Sequence, residues 1–198
     1  MKNNGIRLNK YIASAGYCSR RQADRLIAEN KVLLNGAIAE LGTIVMPGDT
    51  VEIEGKLIVA QTEEDLIYLA FNKPQGIVCT ANPKAKNNII DFIDYPQRIF
   101  TIGRLDKDSE GLILLTNDGS IFNKIVRAEN QNEKEYIVEL NRPYNRSFVE
   151  SMEKGVQISD QMTNPTQVKP LSNTKFKLIL TQGLNRQIRR MCDALGYR

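Results

Sequence analysis

Residues 99–119 read IFTIGRLDKDSEGLILLTNDG. Two apolar runs, Ile99–Ile102 and Gly111–Thr116, flank a charged loop at 103–110, and Asn117-Asp118-Gly119 closes the stretch as a turn. A strand, a charged loop, a returning strand and a turn are the simplest reading. Working downstream, the pattern predicts a helix over Ser120–Arg127 with Ser120 near its cap, then a strand over Glu135–Leu140. Asn145 caps a predicted helix that runs through Lys154, with Gly155 just past it. A strand over Lys175–Thr181 and a helix over Leu184–Leu195, stopped by Gly196, complete the chain. Upstream, Leu66–Phe71 reads as a buried strand and Asn72–Gly76 as a turn. Ile77–Cys79 reads as a returning strand and Asn88–Ile93 as a short helical turn. Strands separated by irregular helices, without a regular βαβ rhythm, favour an α+β fold over a doubly wound sheet.

The first fifty residues are organised differently. Leu8, Tyr11, Ile12 and Ala15 share one face at helical spacing, and Gly16 ends that short helix. Ser19 with Gln22 three residues on forms a capping-box pattern, opening a second helix with Ala23, Leu26 and Ile27 inward and Asn30 at its end. Lys31–Leu34, the pair Asn35-Gly36 and the residues from Ala37 give a hairpin signal. Pro47-Gly48-Asp49 is another turn, before the alternating strand Val51–Glu54. Residues 55–65, GKLIVAQTEED, change character and read as a linker, so the expected domains are residues 1–60 and 61–198.

Composition narrows the functional classes. The chain has 198 residues, 41% hydrophobic and 25% charged, which suits a soluble globular protein. With no histidine, imidazole acid–base catalysis, Ser-His-Asp systems and histidine metal sites are excluded. Cys18, Cys79 and Cys192 lie far apart, without metal-ligand or disulfide-framework spacing. No apolar run approaches the roughly 20 residues of a membrane span. The N-terminal stretch lacks the apolar segment of a secretory signal, so the expected location is the cytoplasm. The formal net charge is only +4 but unevenly spread. Residues 1–36 hold seven Lys/Arg against two Asp/Glu, 37–168 thirteen against twenty, and 169–198 seven against one. Basic ends around an acidic middle suit two surfaces for a polyanion, although a solvated charged face gives the same counts.

Several residues have both a chemical and a plain structural reading. The 103–110 loop could be an acidic cation loop, but its spacing does not fit the twelve-residue calcium loop. A salt-bridged surface turn also fits. Tyr136 shares its strand face with Val138 and Leu140, which makes it an ordinary core tyrosine unless that face lines a pocket. On the last helix Ile188, Met191, Cys192 and Leu195 form an apolar stripe, opposed by Arg186, Arg190 and Asp193. Arg189 lies beside the stripe, nearer burial, where it either pairs with a carboxylate or snorkels to water.

Two resemblances join these segments. RLNKYIASAGYCSRRQADRLIAENKVLLNG at 7–36 resembles the small RNA-binding domain of ribosomal protein S4 over roughly residues 6–54. NKPQG at 72–76, GRLDKDSEGLILLTNDG at 103–119, KEY at 134–136 and GLNRQIRRMCDALGY at 183–197 together resemble the RsuA-type pseudouridine synthases. KDSEGLI and GLNRQIRRMC are nearest in wording to the large-subunit rRNA branch, that of pseudouridine synthase F. The resemblance implies an S4-like α/β domain, then a catalytic domain with a mixed, mainly antiparallel sheet flanked by helices and loops. It also implies at least one further strand after the last helix, so a C-terminal segment is expected beyond Arg198.

The residue roles follow from the resemblance alone. Asp106 matches the essential aspartate. Tyr136 matches the tyrosine that packs on the target base and is a candidate base for the ribose proton. Arg189 matches the basic partner of the aspartate. Arg104 matches the arginine that fills the space vacated by a flipped nucleotide, and Lys73 with Pro74 matches a motif that shapes the fold. Arg7, Lys10, Arg20, Arg21, Arg25, Lys31, Arg104, Arg186 and Arg190 are the expected RNA contacts. The implied reaction breaks N1–C1′ of a uridine, turns the uracil and joins C5 to C1′. Nothing is oxidised and no group is imported, so neither a cofactor nor a metal is expected. The target atoms are hidden in a stacked nucleotide, so base extrusion is expected. The expected partner of the monomer is ribosomal RNA of the large subunit or its assembly particle, with no membrane. A non-catalytic rRNA-binding or ribosome-assembly protein on the same fold is the rival reading, and a metal-dependent nuclease a weaker one.

Overall fold

The Ser19–Gln22 capping box forms as the sequence demands. The Ser19 amide donates to the Gln22 side chain at 3.0 Å, and the Gln22 amide donates back to Ser19 Oγ at 3.2 Å. Such reciprocal caps satisfy amides that a helix start leaves without partners. The computed structural model describes residues 5–126 and 132–198. The chain falls into two compact units, Met1–Phe122 and Asn123–Arg198.

The first unit opens with β1 (Ile6–Arg7), α1 (Leu8–Ser14) and α2 (Arg20–Ala28), followed by β2 (Val32–Leu34), β3 (Ala37–Ile38), β4 (Ile44–Val45), β5 (Val51–Ile53) and β6 (Lys56–Ile58). Leu8, Ile12, Ala23 and Ile27 on the helices close over Val32, Val51 and Ile53 of an antiparallel sheet ordered β3-β2-β5-β6. Each buried Leu, Ile or Val among them contributes roughly 1.5–3 kcal/mol. Asn35 and Gly36 are both left-handed, as the two-residue hairpin requires. The expected linker is shorter than read. Glu54 and Gly55 are also left-handed, so the chain reverses there, and Lys56–Ile58 adds a fourth strand. Ile58 is buried in the same core.

The rest of this unit comprises β7 (Tyr68–Lys73), α3 (Ile89–Ile93), β8 (Phe100–Ile102), β9 (Gly111–Thr116) and α4 (Gly119–Val126). The strands form an antiparallel sheet ordered β7-β9-β8. Ile113 and Leu115 bury one face with Ile77, Cys79, Ile89 and Ile99. The other face carries exposed Tyr68, Leu112 and Leu114, so β7 alternates and is not buried on both faces as expected. The expected strand over Ile77–Cys79 is absent. Only an isolated parallel bridge pairs Val78 with Asn88, because the backbone groups here serve neighbouring loops. The start of α4 lies beside Ser120 as expected, and the Asp118 carboxylate just before the helix accepts from the Ser120 amide at 2.8 Å. Arg127, the last residue of the expected helix, lies outside the described residues.

The second unit contains β10 (Lys134–Glu139), α5 (Arg146–Lys154), β11 (Gln157–Ile158), β12 (Gln161–Met162), β13 (Gln167–Pro170), β14 (Lys175–Leu180) and α6 (Gln187–Ala194). Its main sheet is antiparallel in the order β10-β14-β13. Phe176, Leu178 and Leu180 of β14 meet Phe148 and Met152 of α5 and Met191 and Cys192 of α6 in one core. The stripe read on the last helix is therefore its buried face, and burial pushes the Cys192 thiol up to about 11. The helix starts at Gln187 and not at Leu184, because Arg186 is left-handed (φ 50°) and cannot continue a right-handed helix backwards.

Candidate active site

Asp106 sits in the loop between β8 and β9, and that loop is held from below. Lys73, the last residue of β7, is fully buried (0% exposed). Its ammonium donates to the carbonyls of Pro74 at 2.8 Å, Ile77 at 3.0 Å and Lys107 at 3.2 Å. The Gly76 amide donates to the same Lys107 carbonyl at 2.8 Å. The Leu105 amide reaches Cys79 Sγ at 3.4 Å, and the Leu105 side chain packs on the core beneath. The Ser109 amide donates to the Asp106 carbonyl at 3.1 Å and tightens the turn. Both neighbours of Asp106 are therefore tied down, Leu105 through its amide and Lys107 through its carbonyl. Asp106 itself is half-buried, and Arg104 is exposed beside it. A carboxylate on so constrained a loop is pre-positioned for chemistry.

The far end of β9 is locked in the same way. Asn117 Nδ2 donates to the Asp65 carbonyl at 2.8 Å, and its Oδ1 accepts from the Ile67 amide at 2.9 Å. Thr116 Oγ1 donates to the Ile67 carbonyl at 2.6 Å. These bonds fix where the chain enters β7.

In the second unit Tyr136 pairs in register with Leu178 across β10 and β14. It shares a face with half-buried Val138 and buried Leu140, as alternation predicted. Yet β10 is an edge strand of its sheet and Tyr136 is 40% exposed, so it is not a core tyrosine. A ring fixed by its strand and open on one side can stack on a base. Arg189 also departs from the expectation of near-burial, being exposed on α6.

The segment leading into α6 is built from side-chain amides that the sequence reading missed. Gln187 is only 4% exposed. Its Oε1 accepts from the Leu184 amide at 2.9 Å, and its Nε2 donates to Gln182 Oε1 at 3.3 Å. Gln182 Oε1 also accepts from the Asn164 amide at 3.0 Å. One signal was available, because Gln187 lies four residues before Met191, on the buried stripe. Arg190 donates to Ser159 Oγ and, at 3.5 Å, to the Asn185 carbonyl. This expected RNA contact is thus partly engaged inside the unit.

Of the other expected RNA contacts, Arg7 at the end of β1 and Lys10, Arg20, Arg21 and Arg25 on the first helix pair are exposed, as is Arg186 before α6. Lys31 is drawn to Glu29 at 2.8 Å and Glu54 at 3.6 Å, so its charge is already partnered. Glu29 in turn lies below the usual carboxylate range because Lys31 bonds to it. Among the described residues no group of three or more His, Cys, Asp or Glu side chains is placed to hold a metal ion. None of the described helices is long and apolar enough to cross a membrane.

Comparison with known proteins fits this geometry. Residues 6–51 match the S4 domain, and residues 67–194 match the RNA pseudouridylate synthase family. The chain is 49% identical over 197 residues to the dual-specificity RNA pseudouridine synthase RluF of Escherichia coli K12, covering 100% of this chain and 68% of that protein. It is 38% identical over 200 residues to the ribosomal large subunit pseudouridine synthase B of Bacillus subtilis strain 168, covering 96% and 81%. A solved crystal structure of a pseudouridylate synthase superposes with a TM-score of 0.63 at 31% identity, covering 98% of this chain and 84% of that one. With an S4 domain at 6–51 and the matched catalytic region at 67–194, the chain belongs to the RNA pseudouridylate synthase family, enzymes that isomerise uridine to pseudouridine within RNA.

Proposed function

We propose that the protein acts as a monomer in the cytoplasm and isomerises a specific uridine of large-subunit ribosomal RNA, free or in an assembling particle. The observation that carries this reading is the loop bearing Asp106, clamped on both sides of the carboxylate by buried Lys73 and Cys79. Similarity to RluF and to the large-subunit enzyme of Bacillus subtilis supports the substrate class. Residues 1–60 serve as the RNA-binding domain and residues 61–198 as the catalytic domain. Arg7, Lys10, Arg20, Arg21 and Arg25 track phosphates, and Arg104, Arg186 and Arg190 contact RNA beside the target.

In the reaction, the Asp106 carboxylate acts at C1′ or C6 of the extruded uridine as the N1–C1′ bond breaks. The freed uracil turns in place, C5 bonds to C1′, and the proton leaving C5 is balanced by one gained at N1. Tyr136 stacks on the uracil, and if cleavage proceeds by elimination its phenolic oxygen takes the ribose C2′ proton and returns it to C2′ as C5 joins C1′. Arg189 serves as the basic partner of Asp106. Arg104 fills the gap left by the flipped base.

Mapping of pseudouridines in rRNA from a strain lacking the protein tests this reading. One large-subunit pseudouridine should vanish and return on expression of the wild-type chain, but not of Asp106→Asn. An unchanged rRNA pseudouridine map would overturn it.

A further inference from the structure

The Asp106 loop has a neighbour to which no role has been given. The stretch Gly76–Cys79 runs alongside residues 105–107, bonded to them through Gly76, Cys79 and Lys73. The chain then leaves Cys79 into the loop Thr80–Asn87 and returns at Asn88. Both ends of this loop are fixed. The Val78 amide donates to the Asn87 carbonyl and the Ile89 amide to the Val78 carbonyl, each at 2.9 Å. Asn88 is 1% exposed, and its Nδ2 donates to the Ala85 carbonyl at 3.1 Å and to Asp91 at 2.6 Å. Inside the loop, Asn82 Oδ1 accepts from the Lys84 amide at 3.0 Å, and the Asn82 carbonyl accepts from the Ala85 amide at 3.0 Å.

Lys84 and Lys86 project from this shaped loop into solvent. Among the described residues neither has a salt-bridge partner. Their setting is unusual within the acidic middle of the chain. Residues 73–107 hold six Lys/Arg against three Asp/Glu, whereas 37–72 hold one against seven and 108–168 six against ten. Cations are therefore gathered on the segments bonded to the Asp106 loop and depleted on either side. A buried asparagine shaping a loop whose outward side chains are unpartnered lysines fits a pre-ordered phosphate grip. Pre-ordering lowers the entropic cost of binding.

We propose that the loop Thr80–Asn87 is a second RNA-binding surface, separate from the S4 domain, in which Lys84 and Lys86 hold substrate phosphates close to the target uridine. This rests on the reading of Asp106 as the catalytic carboxylate.

The test is the Lys84→Ala/Lys86→Ala double variant of the whole chain, with Lys154→Ala as an exposed-lysine control. Binding of transcribed 23S rRNA is measured by filter retention across a KCl series, without any need for turnover. Two lost phosphate contacts should reduce the log–log salt slope by roughly 1.4–1.8. Melting temperature should stay unchanged. Lys154→Ala should leave the slope alone. A double variant with the wild-type slope, or a control that lowers it equally, would overturn the proposal. If instead the wild-type chain modifies no uridine in 23S rRNA, the catalytic reading fails while the salt slope still reports on the loop.

Discussion

Two clamps hold the proposed chemical groups, and they are made of different material. In the first unit the loop of Asp106 is gripped by one buried ammonium, Lys73, shared among three carbonyls. In the second the approach to Arg189 is gripped by neutral amides, Gln187 and Gln182, which satisfy two backbone N–H groups. Hydrogen bonds from a charged donor contribute about 1.5–3 kcal/mol each, and neutral ones about 1 kcal/mol. Three carbonyls converging on one point favour a cation, because only a multiple donor can serve them all. Backbone amides favour a side-chain oxygen. The lesson is that the kind of clamp follows from which backbone groups a loop leaves unsatisfied, and the stiffness of each half follows from that.

The sharpest way to break the comparison is to leave both clamps alone and remove the proposed chemistry. Asp106→Asn keeps the shape of the loop. Pseudouridine formation in vitro should fall below detection with RNA affinity within about twofold of wild type. Near-normal turnover would mean that the clamped loop serves something other than catalysis. Tyr136→Phe comes next. Turnover should fall by the roughly 10²–10⁴ of a lost acid–base group. Its exposed ring should make the change in melting temperature negligible. Wild-type single-turnover rates would reduce Tyr136 to a stacking surface.

The clamps themselves should differ in the same assay of stability. Lys73→Met leaves three carbonyls without their donor and should cost on the order of 3–5 kcal/mol. That corresponds to about 10 °C or more in melting temperature for a chain of this size. Gln187→Leu preserves volume but strands the Leu184 amide, costing about 1–2 kcal/mol, with a fall of about 3–6 °C. If the amide clamp proved the costlier, the ranking of cation over amide would be wrong for this protein.

The smallest effect concerns Asp118, at the locked end of β9. Burial pushes its carboxyl up, but donation from Ser120 and from the Tyr68 hydroxyl brings it below the ordinary carboxylate value. A lowered folded value means that its contribution is complete above the ordinary carboxylate range and is lost as pH falls through the folded value. Melting scans between neutral and acidic pH should therefore show a shallower acid-side decline in Asp118→Asn. An identical decline would show that this carboxylate is not linked to folding.

Local patterns settled much of this protein in advance, and the reasons are short-ranged. The Ser19–Gln22 box, the Asn35-Gly36 turn, the Asn145 cap and the α6 stripe each depend on residues within seven positions of one another. Motif order, read as a resemblance, gave the family and the names of the proposed site residues. Tertiary structure decided the rest, because it depends on partners distant in the chain. Residues 77–79 lost their strand because the Lys73 ammonium took the Ile77 carbonyl and the Asn87 carbonyl took the Val78 amide. Residues 56–58 became a strand because β5 was there to pair with. Tyr136 is open because β10 lies at the edge of its three-stranded sheet, which alternation alone cannot say. Lys73 appeared in the sequence as part of a turn and, with Pro74, as a motif expected to shape the fold. Folding makes it a buried ammonium, since its three carbonyl partners come together only when β7 and the loop after β8 meet.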